Sequence, residues 1–228
     1  MLTEQIAVTL VVTGALEALG VPYAISGSLA SAIHGVVRVT MDAVLVADLC
    51  PEHGEPLRRA LGDPFYAAFQ AIQDAIRRSA SFNVIYLETA FKVDIFVRKA
   101  RPFDRAQLSR RERYQISEEP ERHAYVATPE DTVLAKLDCY RKGGDPALQH
   151  WGDVLGVLRV QSGRFDVDYL RRMPATLDVT DLLERALEEA NDKDSCGGYA
   201  PHESLSLASS KARSRRSVTS NVAGMRRR

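Results

Sequence analysis

The chain opens on a four-residue rhythm. Leu2, Ile6 and Leu10 place apolar side chains on one face of a helix. Gly20 follows as a stop and Pro22 blocks continuation, so the pattern predicts a helix over 3–19. The apolar run 23–26 predicts a short strand, and 28–35, ending at Gly35, a short helix. The β-branched run 43–47 has the character of a buried strand. Helical patterns cover 54–61 and 64–78. Runs 82–87 and 91–97, joined at 88–90, predict a hairpin. The polar stretch 104–114 reads as a helix or a mobile loop, and 125–127 as a short strand.

Beyond that point the pattern is helical. Thr128 is a natural N-cap, Pro129 suits the first helical position, and Asp131 lies in the first turn. The helix this starts runs to Lys142 and stops at Gly143-Gly144. Further helices are predicted over 146–160, 166–173 and 180–191. From Asp192 the apolar period disappears and Ser, Arg, Gly and Lys dominate. Such a segment buries too little apolar surface to offset the cost of ordering it. The expected organisation is therefore α/β: a small mixed sheet with flanking helices over 1–127, a helical subdomain over 128–191, and a disordered basic tail over 192–228.

The chemistry concentrates in residues 23–46. An apolar strand ends in Gly27-Ser28, a short helix follows, and Arg38, Thr40 and Asp42 lead into a second strand. Gly27 allows close approach of backbone to a ligand, and the N–H groups of a helix start suit phosphate. The Ser28 hydroxyl adds a donor. Arg38 and Thr40 share the face of Asp42 in an extended segment; Arg38 suits an oxyanion and equally a salt bridge to Asp42. Asp94 stands alone in the apolar strand F-K-V-D-I-F-V, where an unpaired carboxylate is costly. Lys92 precedes it by two and points the same way, toward phosphate or toward a carboxylate.

These residues, with His34-Gly35, resemble the signature of the nucleotidyltransferase superfamily, the polymerase-β-like group. There a Gly-Ser or Gly-Gly pair precedes an Asp-x-Asp strand by about a dozen residues. The stretches A-T-P-E-D-T-V-L-A-K-L-D-C-Y-R-K-G-G and Q-H-W-G-D-V-L-G-V-L resemble the helical region of small prokaryotic enzymes of this kind, the abortive-infection toxin type. The resemblance implies a nucleoside triphosphate substrate, Mg²⁺ held by Asp42 and Asp94, phosphate contacts from Gly27, Ser28, Arg38 and Thr40, and Lys136 facing the triphosphate with Asp153 near the same cleft. It implies transfer of a nucleotide to an RNA such as tRNA or to a protein hydroxyl, with Asp94 drawing the proton. Lys136 lies among Val133, Leu134, Ala135 and Leu137, so it also fits a side chain snorkelling from a core face. Trp151 reads as an anchor between helices.

One position departs from the signature. The second Asp of the Asp-x-Asp is Val44. Two carboxylates at i and i+2 of a strand would clamp two ions roughly 3.5–4 Å apart. Val44 leaves two of the three expected acids, Asp42 and Asp94, which should lie on adjacent strands. Asp48 lies roughly 20 Å further along an extended chain and is too remote; Glu88, in the hairpin turn, is the nearest substitute. The alternative function is a catalytically inactive relative acting as a binding or regulatory protein, in the manner of a toxin–antitoxin partner. A weaker option is a nucleotide sensor without turnover.

Composition narrows the remaining classes. The formal net charge is zero, but residues 1–191 hold 22 bases against 27 acids and the tail 8 against 3. Bulk charge therefore does not mark a broad nucleic-acid surface on the folded part. Cys50, Cys139 and Cys196 form no C-x-x-C, which argues against a disulfide framework and a Cys-type zinc site. The apolar start carries Glu4 and Glu17, lacks a basic leader and is short for a membrane span. A cytoplasmic protein with no membrane partner is the expectation.

Overall fold

The computed structural model describes residues 4–37, 42–118, 120–143 and 147–192. The expected tail from 193 onward, and Arg38 and Thr40, lie outside the described residues. In chain order the elements are α1 (Glu4–Ala18), β1 (Tyr23–Ser26), α2 (Gly27–His34), β2 (Asp42–Ala47), α3 (Gly54–Leu61), β3 (Phe65–Tyr66), α4 (Phe69–Arg78), β4 (Ser81–Tyr86) and β5 (Lys92–Val97). They continue with α5 (Pro102–Arg110), β6 (Glu112–Glu118), β7 (Glu121–Val126), α6 (Pro129–Lys142), α7 (Ala147–Val160), α8 (Val167–Arg172) and α9 (Thr180–Asn191).

The described strands form one mixed sheet in the order β3-β4-β5-β2-β1-β7-β6. The β1–β7 and β2–β5 pairs are parallel and the others antiparallel. Alternation in β2 and β5 sends Ala43, Leu45, Ala47, Val93, Ile95 and Val97 to a buried face. Val12 and Leu16 of α1, Leu57 of α3 and Ile72 of α4 join them in one apolar cluster. A second cluster is built by α6, α7 and α9, around Leu134, Leu137, Val154 and Leu183. None of the described helices is long and apolar enough to cross a membrane.

Three stretches differ from the sequence expectation. Residues 64–78 are not one helix: Phe65 and Tyr66 pair with Tyr86 and Ile85 as an edge strand, and helix begins at Phe69. Two adjacent aromatics favour the strand, and the Pro64 carbonyl accepts from Leu87 N at 2.9 Å. The polar stretch 104–114 straddles a boundary, with α5 ending at Arg110 and β6 starting at Glu112. Tyr114 and Ile116 alternate onto the first core and drive that change. The strand at 125–127 extends back to Glu121, because β6 supplies hydrogen bonds to a segment whose outer residues are charged.

α2 ties the sheet to the helical region. His34, at its end, is buried and donates Nε2–H to the Ala127 carbonyl at 2.6 Å. The Tyr114 ring meets the imidazole edge-to-face at 5.4 Å between centroids. On the other side Gln161, just past α7, donates to the His34 carbonyl at 2.7 Å. Gly35 sits on the α7 backbone: a Cβ there would stand 2.9 Å from Val157 N, so a side chain is excluded by space. At the α6 N-terminus Thr128 caps as expected, accepting from Asp131 N at 3.2 Å.

Burial pushes the His34 pKa down from 6.5, and the Ala127 hydrogen bond opposes this only in part. The unfolded chain therefore binds a proton near pH 6.5 that the folded chain refuses. The stability from His34 is complete above that pH and is lost as pH falls below it. Urea midpoints measured between pH 7.5 and 5 should fall, and the fall should be shallower in His34→Gln, which keeps an N–H donor and does not titrate. Parallel pH profiles for the two forms would contradict this.

Candidate functional site

β1 ends at Ser26, and the chain turns at once into α2. Gly27 makes that turn with φ +62°, in the left-handed region. Space makes the same demand. A Cβ on Gly27 would lie 2.8 Å from Val44 Cβ and 2.9 Å from its Cγ2. Val44 thus lies directly against the turn. Ser28 is the second residue of α2 and half-buried.

The register builds the rest. Ser26 lies opposite Val44, Val44 opposite Asp94, and Asp94 opposite Asn83, giving one row across four strands. Directly opposed residues share a face of the sheet, and so do residues two apart. Asp42 lies opposite Lys92 in the next row. β2 and β5 therefore present four side chains as corners: Asp42 and Val44 on one strand, Lys92 and Asp94 on the other. The two acids occupy one diagonal. Strand spacing and rise put their Cα atoms roughly 8 Å apart. All four corners are half-buried.

Asp94 is engaged from both sides. Lys92 Nζ lies 3.2 Å from its Oδ2, and Asn83 Nδ2 donates to its Oδ1. Its side chain is 17% exposed and that of Lys92 44%, so the ammonium stands at the mouth of the site and the carboxylate behind it. Asn83 is the participant that sequence reading missed. It is an exposed polar residue in a strand, and only the β4–β5 register reveals that it faces Asp94.

Lys136 is buried in α6 and donates from Nζ to Asp153 Oδ2 on α7 at 2.5 Å, so the pair joins two helices. Asp48 is ion-paired with Arg98 at 2.9 Å. Glu88 is exposed in the β4–β5 turn and accepts from the Tyr86 hydroxyl. Trp151 packs between helices: Nε1 donates to Glu189 at 3.0 Å, and the Arg185 guanidinium covers the ring at 4.4 Å.

The donor set does not fit a pair of Mg²⁺ ions. Such ions take one or two carboxylates with waters and substrate phosphates, and the pair shares a bridging acid; an apolar Val44 fills that position. Among the described residues no group of three or more Asp, Glu, His or Cys is placed to hold a metal. The positive charge facing Asp94 comes instead from Lys92.

No family model matches the sequence, and no curated protein matches it. Among solved structures, the chain is similar to an antigenic nucleotidyltransferase-like protein from Paracoccidioides brasiliensis, with a TM-score of 0.50 and 15% identity over 81% of this chain and 92% of that one. That degree of identity speaks to architecture alone. With its mixed sheet and helical C-terminal region, this chain has a nucleotidyltransferase-like fold.

Proposed function

We propose that this protein binds the phosphates of a nucleoside triphosphate without a divalent metal pair and does not transfer the nucleotide at an ordinary enzymatic rate. The observation that carries the reading is the four-cornered arrangement of Asp42, Val44, Lys92 and Asp94. Lys92 supplies a cation beside Asp94, and Val44 stands where the bridging carboxylate would be. The α2 start contributes oriented N–H groups at Gly27-Ser28, where the positive end of the helix dipole favours an anion. The fold resemblance supports a nucleotide as the ligand class. A protein of this kind acts by occupancy rather than turnover, as a sensor or a regulatory partner.

Calorimetric titration of each ribonucleoside triphosphate, with Mg²⁺ and with excess chelator, tests the reading. Affinities within about twofold of each other in the two conditions are expected. Lys92→Met should weaken binding about tenfold, which corresponds to about 1.4 kcal/mol. Strict dependence on Mg²⁺, or transfer of labelled nucleotide into RNA or protein at about 1 s⁻¹ or faster, would overturn it.

Val44→Asp supplies the opposite experiment. The new carboxylate stands opposite Asp94 and two residues from Asp42. Mg²⁺ binding should appear in the variant. In metal-free buffer the variant should be less stable by about 1–2 kcal/mol, because a half-buried acid is placed beside two others. Adding Mg²⁺ should recover part of that loss in a thermal melt. A melt insensitive to Mg²⁺ would show that Val44 is not the missing corner.

A further inference from the structure

Two adjoining cavities, of about 340 and 330 Å³, open at the end of the sheet where β1 begins. Pro22 and Arg111 line both and form the wall between them. Arg113 lines the first and Arg105 the second. Two acids line the cavities with them. Asp48 is paired with Arg98, while Glu17 accepts from the neutral Tyr23 hydroxyl at 2.6 Å and keeps its charge. Arg105 and Arg113 are exposed and make no ion pair among the described residues. Residues 1–191 carry more acids than bases, so three guanidinium groups against the single Glu17 carboxylate around one groove are a local reversal of charge.

Arg111 adds an independent observation. Its guanidinium stacks over the Tyr125 ring at 4.7 Å and donates to the Leu108 carbonyl, which holds it rigid. A guanidinium held in place beside both cavities offers its remaining N–H groups with little further ordering.

We infer that this groove is a binding site for an oligophosphate, a chain of two or more phosphoryl groups lying across Arg111 with its ends toward Arg105 and Arg113. Planar guanidinium forks match phosphoryl oxygens in pairs, and a fixed stacked Arg loses little freedom on binding. A single phosphate reaches one cavity; a chain reaches both. Cavities of this size suit a small ligand. The site is separate from the one at Gly27. β1 runs from Tyr23 in the groove to Ser26 beside Val44, roughly 10 Å along the strand, and this inference stands independently of nucleotide binding there.

The test is calorimetric titration of the full chain with orthophosphate, pyrophosphate, tripolyphosphate, ATP and citrate at low salt. Affinity should rise along the first three, with tripolyphosphate about tenfold tighter than orthophosphate. The double variant Arg105→Gln, Arg113→Gln should weaken tripolyphosphate about tenfold with an unchanged thermal midpoint, while Lys92→Met leaves it unaltered. In the Lys92→Met background, ATP binding that the Arg105→Gln, Arg113→Gln pair weakens assigns an esterified chain; ATP binding insensitive to that pair assigns a free one. Unchanged tripolyphosphate affinity in the double variant would overturn the inference, as would citrate binding as tightly as tripolyphosphate.

Discussion

The parallel pairing of β2 with β5 sets the terms for everything around it. Its register puts Val44 beside Asp94 and Asp42 beside Lys92. Had β5 been displaced by two residues, Asp94 would face Asp42 and Lys92 would pass beyond the end of β2. A shift of one would turn the whole polar set into the core. The apolar partners Ala43, Leu45, Val93 and Ile95 forbid that slip, since they fill the first core from the opposite face. The chemistry of the exposed face is thus fixed by packing on the buried one.

The same principle extends through α2. The helix begins at a glycine that admits Val44 and ends at a histidine and a glycine that admit Ala127 and the α7 backbone. Both ends are defined by what fits against them. His34 and Gly35 therefore belong to the join between sheet and helices. Lys136 joins α6 to α7 in the same way. Its Nζ donates to Asp153, as a buried cation needs a partner.

Much of this was legible in the sequence, and the limits have physical causes. Pro129–Lys142, capped by Thr128, has the ends that Thr128-Pro129 and Gly143 indicate, and Thr180–Asn191 follows from its apolar period. Segments that are strands only through a neighbour did not read correctly. Phe65-Tyr66 and the outer part of β7 become strands through pairing with a neighbour, and pairing is not a local property. At the site, the lone acids and the Val44 substitution were visible as letters. That Lys92 contacts Asp94 was one of two options open for that residue. The part played by Asn83 depends on a partner eleven residues away across a hairpin, so no spacing within one strand could announce it.

β1 gives the fold a ruler. It has four residues, all buried, hydrogen-bonded to β2 on one side and β7 on the other. A strand enclosed on both faces and both edges has no direction in which to slide. The arginine groove at its first residue and the glycine turn after its last are consequently held at a constant separation. Any ligand-driven change at one end would reach the other by tilting the strand, never by lengthening it.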